Sequence, residues 1–591
     1  MHPYQAPLQD HSFILHQLLG ADALGGCPAY ADYSVELADA VLAESARLAQ
    51  DILAPLNPSG DREGCRLSDT GTVSAPAGFK EAYQQFMQGG WPQLRARVED
   101  GGQGAPLALA TAAQETWASA NLAFKLCPML TYGAVHALTH CATAELRARF
   151  LPKMVTGEWS GTMVLTEPQA GSDLGLIRTR AVPDGGQYRI FGQKIFITWG
   201  EHDFTENIIH LVLARIEGAP AGVRGISLFV VPKILVQEDG SLGGRNDVRC
   251  TGLEHKLGIH ASPTCALSFG ERDGAIGYLV GEANRGLEYM FIMMNAARLG
   301  VGLQGYAVAE RAFQQAADYA RNRLQGSLGK SPGPAPIIEH PDVRRMLLTM
   351  KSGIEAMRAL TLYTAWQLDL AAEHQDTAAR AAAQARGDLL IPIVKGWCTE
   401  FGAELTSLGL QVHGGMGFIE DTGAAQLLRD VRITAIYEGT TGIQANDLLG
   451  RKLTRDRGAA MMALLAEARG ELAAPVPHAV AEAVRVAALE GIETLDAATA
   501  SLLQQGAAAP ADALAVAVPY LELAGVALGG WLMARAARLA AAGLAGAERA
   551  FCEAKLATAR FYSVQVLPRV FALSRVVQSG GPAVDGPGAL I

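Results

Sequence analysis

A single carboxylate stands in a glycine-rich, apolar segment and is the strongest candidate for acid–base chemistry. Glu438 lies within RDVRITAIYEGTTGIQ, residues 429–444. Apolar neighbours are expected to shield it from water and so raise the pKa of its carboxyl group, while Gly439 lets backbone pass close to a ligand. These neighbours are Ile433, Ile436 and Tyr437. Taken by itself, the segment is more typical of a capped turn in which the glutamate pairs with Arg429 or Arg432.

A second candidate site is the loop LTEPQAGSDLG, residues 165–175. Thr166, Ser172 and the backbone amides around residues 170–171 offer hydrogen-bond donors on a turn that Pro168 stiffens. Such donors suit a phosphate or the polar edge of a flat ring. The loop could also be a simple connection between domains.

A hydroxyl and an aromatic ring close the strand-like run FITWG, residues 196–200. The pair Thr198 and Trp199 matches what an isoalloxazine ring requires of its surroundings. A lone tryptophan at a strand end is more often part of the core, and we expect that role for Trp199.

Two further glycine-rich segments have the composition of nucleotide-binding sites. GVGLQG, residues 300–305, matches the dinucleotide fingerprint, but it follows the helical pattern YMFIMMNAARL instead of a strand. Its glycines are therefore predicted to let helices approach closely. QVHGGMG, residues 411–417, could receive a pyrophosphate, and its His413 is expected to be structural.

Composition excludes several classes of protein. The chain has 591 residues, of which 49% are hydrophobic and 18% charged, with a formal charge of −10, which is typical of a mildly acidic globular protein with several domains and no general attraction for nucleic acid. Its eight cysteines are scattered without zinc-ligand spacing, so we expect a reducing compartment and no metal.

The termini and apolar runs bear on localisation. The first residues, MHPYQAPLQDHSFILHQLL, lack the basic and apolar regions of a targeting signal, so a cytoplasmic protein is predicted. The apolar run at residues 513–534 contains Pro519, Glu522 and three glycines, which favours a buried helix pair over stable membrane insertion.

The texture of the sequence changes along the chain and predicts helix, sheet, helix and further helix. The predicted division is an N-terminal leader at 1–32, a helical domain at 33–160, a β-domain at 161–282, a helical bundle at 283–450 that contains the candidate base, and a helical extension at 451–591.

Together these segments resemble the acyl-CoA dehydrogenase family. LTEPQAGSD, FITWG, the helix that begins at NAARLGVGLQG, QVHGGMGF and RDVRITAIYEGTTGIQ occur in the family's order over residues from about 140 to 450. The leader, the glutamine in TEPQAGSD and the long extension look most like the branch that includes 3-methylmercaptopropionyl-CoA dehydrogenases and broad-range long-chain members.

The resemblance implies a fold, a cofactor and a reaction. The fold would be α+β, with an N-terminal helical domain, a middle antiparallel β-barrel, a C-terminal four-helix bundle and an extra helical domain. FAD would be the cofactor, and an acyl-CoA would be dehydrogenated to a trans-2-enoyl-CoA with Glu438 as the base. The substrate would be 3-methylthiopropionyl-CoA or a fatty acyl-CoA. A homodimer and an electron-transferring flavoprotein as electron acceptor are also implied.

The resemblance further assigns residues to the site, with some departures. Arg298 and Gly439 would contact the substrate, but Asn295 replaces an acidic residue near Arg298, Phe196 replaces a tryptophan, and RLQGSLGK departs from the pattern after Arg323. The residues expected to bind the cofactor are Leu165, Thr166, Ser172, Thr198, Arg323, Gln411, Gly414, Gly415, Thr440 and Gln444.

Two alternatives share this fold. A flavoprotein oxidase would carry the same motifs and pass electrons to oxygen. A DNA-associated relative would require a basic extension, whereas the charges after residue 450 are about balanced.

Overall fold

Helices occupy the chain before its β-rich segment in the computed structural model, which describes residues 3–20, 24, 26–327 and 333–585. Asn121 begins one of the longest by accepting a hydrogen bond from Phe124 N at 3.1 Å, as an N-cap does. The elements are α1 (Leu8–Ser12), α2 (Val35–Arg47), α3 (Ala54–Glu63), β1 (Arg66–Leu67), β2 (Val73–Ser74), α4 (Phe79–Gln88), α5 (Leu107–Ala120), α6 (Leu122–Cys141) and α7 (Ala144–Val155).

The β-rich segment forms one large sheet and a separate short hairpin. Its strands are β3 (Trp159–Val164), β4 (Arg180–Asp184), β5 (Gln187–Thr198), β6 (Asn207–Ile216), β7 (Ile226–Pro232), β8 (Ile234–Val236), β9 (Leu242–Arg245), β10 (Val248–Leu253), β11 (Thr264–Phe269) and β12 (Ala275–Leu279). The order in the large sheet is β10-β11-β5-β12-β7-β6-β3, and β4 pairs with both β5 and β6. Five runs rich in β-branched and aromatic residues predict strands, and they correspond to β5, β6, β7, β11 and β12. These runs are YRIFGQKIFIT, IIHLVLARI, GISLFVVPK, CALSFG and AIGYLVG.

The sheet is mixed, not wholly antiparallel as the sequence predicted. Most pairs are antiparallel, but β3 and β4 each pair with β6 in parallel. Parallel neighbours require a long connection, and the chain between β3 and β6 is long enough to include two other strands. Apolar, β-branched runs in β6 and β7 are buried almost throughout, which places them at the centre of the sheet's core.

Helices fill the rest of the chain. They are α8 (Gly286–Asn322), α9 (Pro341–Glu373), α10 (Thr377–Val412), α11 (Ala424–Val431), α12 (Thr441–Asp447), α13 (Ala459–Ala473), α14 (Ala479–Ala508), α15 (Pro510–Ala515), α16 (Ala517–Gly543), α17 (Arg549–Phe561), α18 (Arg569–Ser579) and α19 (Pro582–Asp585).

The glycines of the dinucleotide fingerprint lie inside helix α8, which confirms that they serve helix packing. A Cβ on Gly302 would approach Val394 O to 2.8 Å, and one on Gly305 would approach Cys398 O to 2.2 Å. Both carbonyls belong to α10. Since a real side chain would meet this backbone, α8 and α10 can lie this close only where glycine is present.

The apolar run of the extension forms helix α16. By length and composition this is the one helix among the described residues that could cross a membrane, and 83% of its most apolar window is buried inside the fold. The predicted buried helix is therefore present, as one long helix preceded by the short α15 and not as a pair of similar helices.

The chain divides into two compact units, each built from segments distant in sequence. The helical unit comprises Met1–Ala46, Pro106–Ser119 and Val301–Ile591, and the β-containing unit comprises Arg47–Ala105 and Ala120–Gly300. The five segments predicted above are each continuous in sequence, and this division stays a prediction.

A buried ion-pair network crosses the helical unit. Arg358 of α9 donates to Glu115 at 2.6 Å and to Glu310 at 2.8 Å, and His11 contacts Glu115 at 2.9 Å. Burial would raise the pKa of Glu115, but the charges of Arg358 and His11 outweigh it and lower that pKa to about 2. The N-terminal segment is joined to α9 through this cluster.

The same network reaches the C-terminal extension. Lys555 of α17 contacts Asp10 of the N-terminal segment, and its Nζ lies 3.1 Å from Glu355 of α9. These side chains are at most 17% exposed, so the charges lie in a medium that screens them poorly. Lys555 thereby links the N-terminal segment and the C-terminal extension to helix α9.

Replacing Arg358 tests this network. We expect Arg358→Met to destabilise the helical unit by about 3–5 kcal/mol, because two buried carboxylates lose their cation. The exposed pair Arg549–Glu553 provides the control, since Arg549→Met should change stability by less than about 1 kcal/mol. Thermal and urea unfolding measure both variants, and equal effects would contradict the assignment.

Candidate active site

Glu438 lies in a tight turn between a 3-10 turn, Arg432–Ala435, and helix α12. It is half-buried, and its backbone φ is 57°. Gly439 follows with φ 89°. The left-handed region is natural for glycine but costs a non-glycine residue free energy, so the surroundings must hold Glu438 in it.

Helix α12 supplies part of that support. Gln444 is fully buried, and its Nε2 donates to Glu438 O at 3.2 Å and Gly439 O at 3.3 Å. Thr440 caps the helix by accepting from Ile443 N at 3.4 Å. Two residues that the resemblance assigns to the cofactor thus also shape the turn.

Helices α8 and α10 supply the remainder. Tyr437 OH donates to Gln304 of α8, and Thr441 Oγ1 donates to Glu400 of α10 at 2.6 Å. Burial and the neighbouring charge of Glu438 both raise the pKa of Tyr437, which keeps this phenol protonated. The sequence did not reveal Gln304 or Glu400, because contacts so distant in sequence leave no local pattern.

Of the three apolar residues predicted to keep water from Glu438, one does not do so. Ile436 is 49% exposed, so it cannot keep water from the carboxylate. The preceding 3-10 turn buries Thr434 and Ala435 instead. A turn with three residues per rotation directs a different set of side chains inward from the set expected for an α-helix.

The ends of α8 and α10 meet and bring a second group of predicted residues together. The His413 ring lies 4.7 Å from the Tyr319 ring, and its Nδ1 donates to Gly409 O at 2.7 Å. Burial lowers the pKa of His413, and the expected structural role is confirmed. The exposed residues beside this contact are Arg323, Gln411, Gly414 and Gly415.

In the β-containing unit, the loop after β3 is joined to strand β5. Ile195 N donates to Thr166 O at 3.0 Å, which places Thr166 close to the end of the strand that carries Thr198. Both threonines are half-buried, whereas Leu165 is buried and Ser172 is exposed. The structure thus brings Thr166 and Thr198 into one region of this unit.

Glu167 forms the centre of that loop, a role that the sequence analysis missed. It is 3% exposed and accepts from Arg178 N at 2.7 Å, from Thr179 N at 3.0 Å and from Lys194 Nζ at 2.9 Å. Burial would raise its pKa, but the charge of Lys194 and the hydrogen bonds from Thr179 and Arg178 together outweigh burial and lower the pKa of Glu167 to about 2. A lysine inside the apolar strand pattern FGQKIF was the available signal.

One predicted donor in the loop is wrong. Ala170 N donates to Glu167 O at 2.9 Å, so this amide closes the turn and does not face a ligand. The chain turns back on itself here, and a buried amide in a tight turn is satisfied by the backbone opposite.

The two aromatic residues of FITWG have different surroundings. Trp199 is 1% exposed, its Nε1 donates to Ala123 O at 3.2 Å, and its ring lies 4.5 Å from the Phe204 ring, so its expected core role is confirmed. Phe196 is 57% exposed. Both residues have positive φ, 59° for Phe196 and 52° for Trp199, which marks an unusual strand end.

Arg298 lies in the part of α8 that belongs to the β-containing unit. It is 4% exposed, and its Nη1 donates to Asn295 Oδ1 at 3.3 Å. The amide of Asn295 accepts this bond and carries no charge, so it does not neutralise the guanidinium. The positive charge that a CoA phosphate would require is retained in that contact.

Comparison with known proteins covers most of the chain. Family models of the acyl-CoA dehydrogenases match as the N-terminal domain at 67–158, the middle domain at 162–271 and the C-terminal domain at 284–453. The extension matches a model described as acetyl-CoA dehydrogenase C-terminal like, at 459–585.

Individual relatives extend over nearly the full length. The chain is 48% identical to a 3-methylmercaptopropionyl-CoA dehydrogenase of Ruegeria pomeroyi, with 98% of each protein covered. It is 38% identical to a butyryl-CoA dehydrogenase of Syntrophomonas wolfei, with 99% of this chain and 98% of the relative covered. The structure of a Bacillus anthracis acyl-CoA dehydrogenase complexed with FAD has the same fold, with a TM-score of 0.75, 19% identity, and 96% of this chain and 91% of that chain covered.

Glu167 provides a test of the loop's architecture. Glu167→Gln should destabilise the β-containing unit by about 3–5 kcal/mol, because the buried Lys194 loses its counter-charge. Thermal unfolding followed by circular dichroism measures the effect. The half-exposed Glu158 is the matched control, and a Glu158→Gln variant as unstable as Glu167→Gln would contradict this role.

Proposed function

Since the chain belongs to the acyl-CoA dehydrogenase family of FAD-dependent oxidoreductases, we propose that Glu438 is the base that removes the α-proton of an acyl-CoA thioester. The observation that carries this proposal is the strained turn. Hydrogen bonds of Tyr437, Thr441 and Gln444 hold the turn, and with it the Glu438 backbone at φ 57°. The point from which the carboxylate projects is thereby fixed, which proton abstraction requires and a merely structural ion pair does not.

The proton-transfer step follows from the groups of the turn. Glu438 as carboxylate accepts the α-proton on a carboxyl oxygen, and the product is a trans-2-enoyl-CoA. Negative charge develops on the thioester oxygen meanwhile, and the backbone N–H of Glu438 is proposed to stabilise it. Gly439 has no side chain to obstruct that approach. Gln444 holds the carbonyls of the turn, so that this N–H keeps its direction.

The residues present fit FAD, which supplies the acceptor for the β-hydride when bound. Gln444 Oε1 is buried without a hydrogen-bond partner among the described residues, and it offers an acceptor to a ligand. Around Gly414 and Gly415, a Cβ would meet no described atom within 4 Å, so the backbone is open to a phosphate. The residues proposed to hold FAD are Leu165, Thr166, Ser172, Thr198, Arg323, Gln411, Gly414, Gly415, Thr440 and Gln444.

We propose a short acyl chain for the substrate, with 3-methylthiopropionyl-CoA as the first candidate. Two relatives that align over the whole chain are named for 3-methylmercaptopropionyl-CoA and butyryl-CoA, whose acyl groups are similarly short. Arg298 would contact the CoA arm, because a guanidinium pairs well with phosphate oxygens.

The proposed partners are an electron-transferring flavoprotein and a second copy of this chain, in the cytoplasm. Support for the homodimer comes from the end of the helical unit that carries Arg323 and Gln411. Large apolar side chains are exposed there, Met416 by 48%, Phe418 by 83% and Ile419 by 46%, and such patches mark protein contacts.

The function is tested by Glu438→Gln. In the wild-type protein, anaerobic addition of an acyl-CoA should bleach the flavin absorbance, and the flavin should reoxidise slowly in air. The variant should keep FAD, and its rate of flavin bleaching should fall about 10²- to 10⁴-fold, because the amide cannot accept the proton. The exposed Glu493→Gln serves as control. An active Glu438→Gln variant would refute the mechanism, and fast reoxidation by oxygen would indicate an oxidase.

The geometry of the turn is tested by Gly439→Ala. A Cβ there would lie 2.7 Å from Gln444 Nε2, at a φ that alanine disfavours. We expect kcat to fall about 10- to 100-fold because the carboxylate is displaced, while the thermal stability of the protein changes little. Gly450→Ala is the control, since a Cβ there meets nothing within 4 Å. Equal kcat values for the two variants would show that the turn need not be held so closely.

A further inference from the structure

A lysine buried in helix α6 has no use in the chemistry described above. Lys125 is 1% exposed, and its Nζ has no hydrogen-bond partner among the described residues. Burial lowers the pKa of Lys125 to about 7. The other buried lysine of the same unit, Lys194, contrasts with it, because Lys194 pairs with Glu167 and also donates to Leu165 O at 2.8 Å.

The neighbours of this amine lie on α6 and on the first part of α8. A Cβ placed on Gly300 would lie 3.4 Å from Lys125 Nζ and 3.3 Å from Met129 Sδ. The amine and the Met129 sulfur therefore lie against α8 at a position without a side chain. Arg298, proposed for the CoA arm, precedes Gly300 by two residues on the same helix, so the amine lies against the helix that carries the proposed substrate contact.

The cost of this arrangement argues for a ligand. Leaving a buried polar group without a partner costs free energy, and more when the group is charged. Its surroundings, which include Met129, would accommodate methionine or leucine at position 125 without that cost. An acceptor atom that enters with a ligand would satisfy the amine.

We propose that Lys125 determines substrate specificity by donating a hydrogen bond to an acceptor atom in the acyl chain. This proposal rests on the proposed function. The substrates it selects are acyl-CoAs whose chain carries a thioether, ether, hydroxyl or carboxylate acceptor, in preference to plain alkyl chains of the same length. Lys125 takes no part in the proton transfer, so its effect falls on KM and not on kcat.

The test compares acyl-CoAs of equal chain length. Steady-state kinetics of the FAD-loaded enzyme would use 3-methylthiopropionyl-CoA, 3-methoxypropionyl-CoA and pentanoyl-CoA, with glutaryl-CoA as the anionic member. Lys125→Met should raise KM for at least one acceptor-bearing substrate about tenfold and leave KM for pentanoyl-CoA unchanged or lower. The substrate that loses most identifies the acceptor. Lys80→Met, on the exposed face of α4, removes the same charge and should change no KM.

A conservative variant separates recognition from packing. Lys125→Gln keeps an N–H donor and should retain part of the preference that Lys125→Met loses. If the KM ratios of acceptor-bearing to alkyl substrates are the same in wild type and Lys125→Met, the proposal is overturned. If Lys125→Met does not fold, the KM values of the wild-type enzyme provide the test. A KM for pentanoyl-CoA that is lower than the KM for every acceptor-bearing substrate would also overturn the proposal. Failure of the proposed function would look different, because no acyl-CoA would then bleach the wild-type flavin.

Discussion

Glu438 occupies a backbone conformation that L-residues disfavour. The surrounding helices hold the turn in that conformation through hydrogen bonds. Gln444 donates to the carbonyls of the turn, Tyr437 reaches Gln304 of α8, and Thr441 reaches Glu400 of α10. The close approach of α8 and α10, which their glycines permit, brings these two anchoring residues within reach of one short turn. A residue in a strained backbone conformation is stable only when several such contacts act together.

The buried basic side chains discussed above are of two kinds, those paired with carboxylates and one without a described hydrogen-bond partner. Arg358 pairs with Glu115 and Glu310, and Lys194 pairs with Glu167. These pairs join segments that are distant in sequence: the N-terminal segment and α9 through Glu115, and the loop after β3 and strand β5 through Glu167. Their role is positional, since a buried pair adds little net stability but is costly to break. Lys125 differs from both, because its amine has no hydrogen-bond partner among the described residues. The contrast between Lys194 and Lys125 within one unit of the protein is the basis for the ligand contact proposed for Lys125.

Much of the fold was predictable because its signals are local. Short β-rich runs predicted β5, β6, β7, β11 and β12, and the helical pattern around residues 300–305 correctly overruled the dinucleotide fingerprint. The errors have two physical causes. The parallel pairs with β6 are decided by contacts far apart in sequence. The exposure of Ile436 and the use of the Ala170 amide depend on the geometry of a local turn, which residue types alone do not reveal.

The order of the motifs and the chemistry of their residue types were contained in the sequence, and they were enough to identify the family and to predict Glu438 as the base and the glycine after it as a substrate contact. The left-handed turn at Glu438, the carboxylate of Glu167 at the centre of its loop and the lack of a hydrogen-bond partner for the Lys125 amine among the described residues emerged only from the tertiary structure. The reason is that residue type and spacing reveal what a group can do, whereas its backbone conformation, burial and partners are properties of the packed chain.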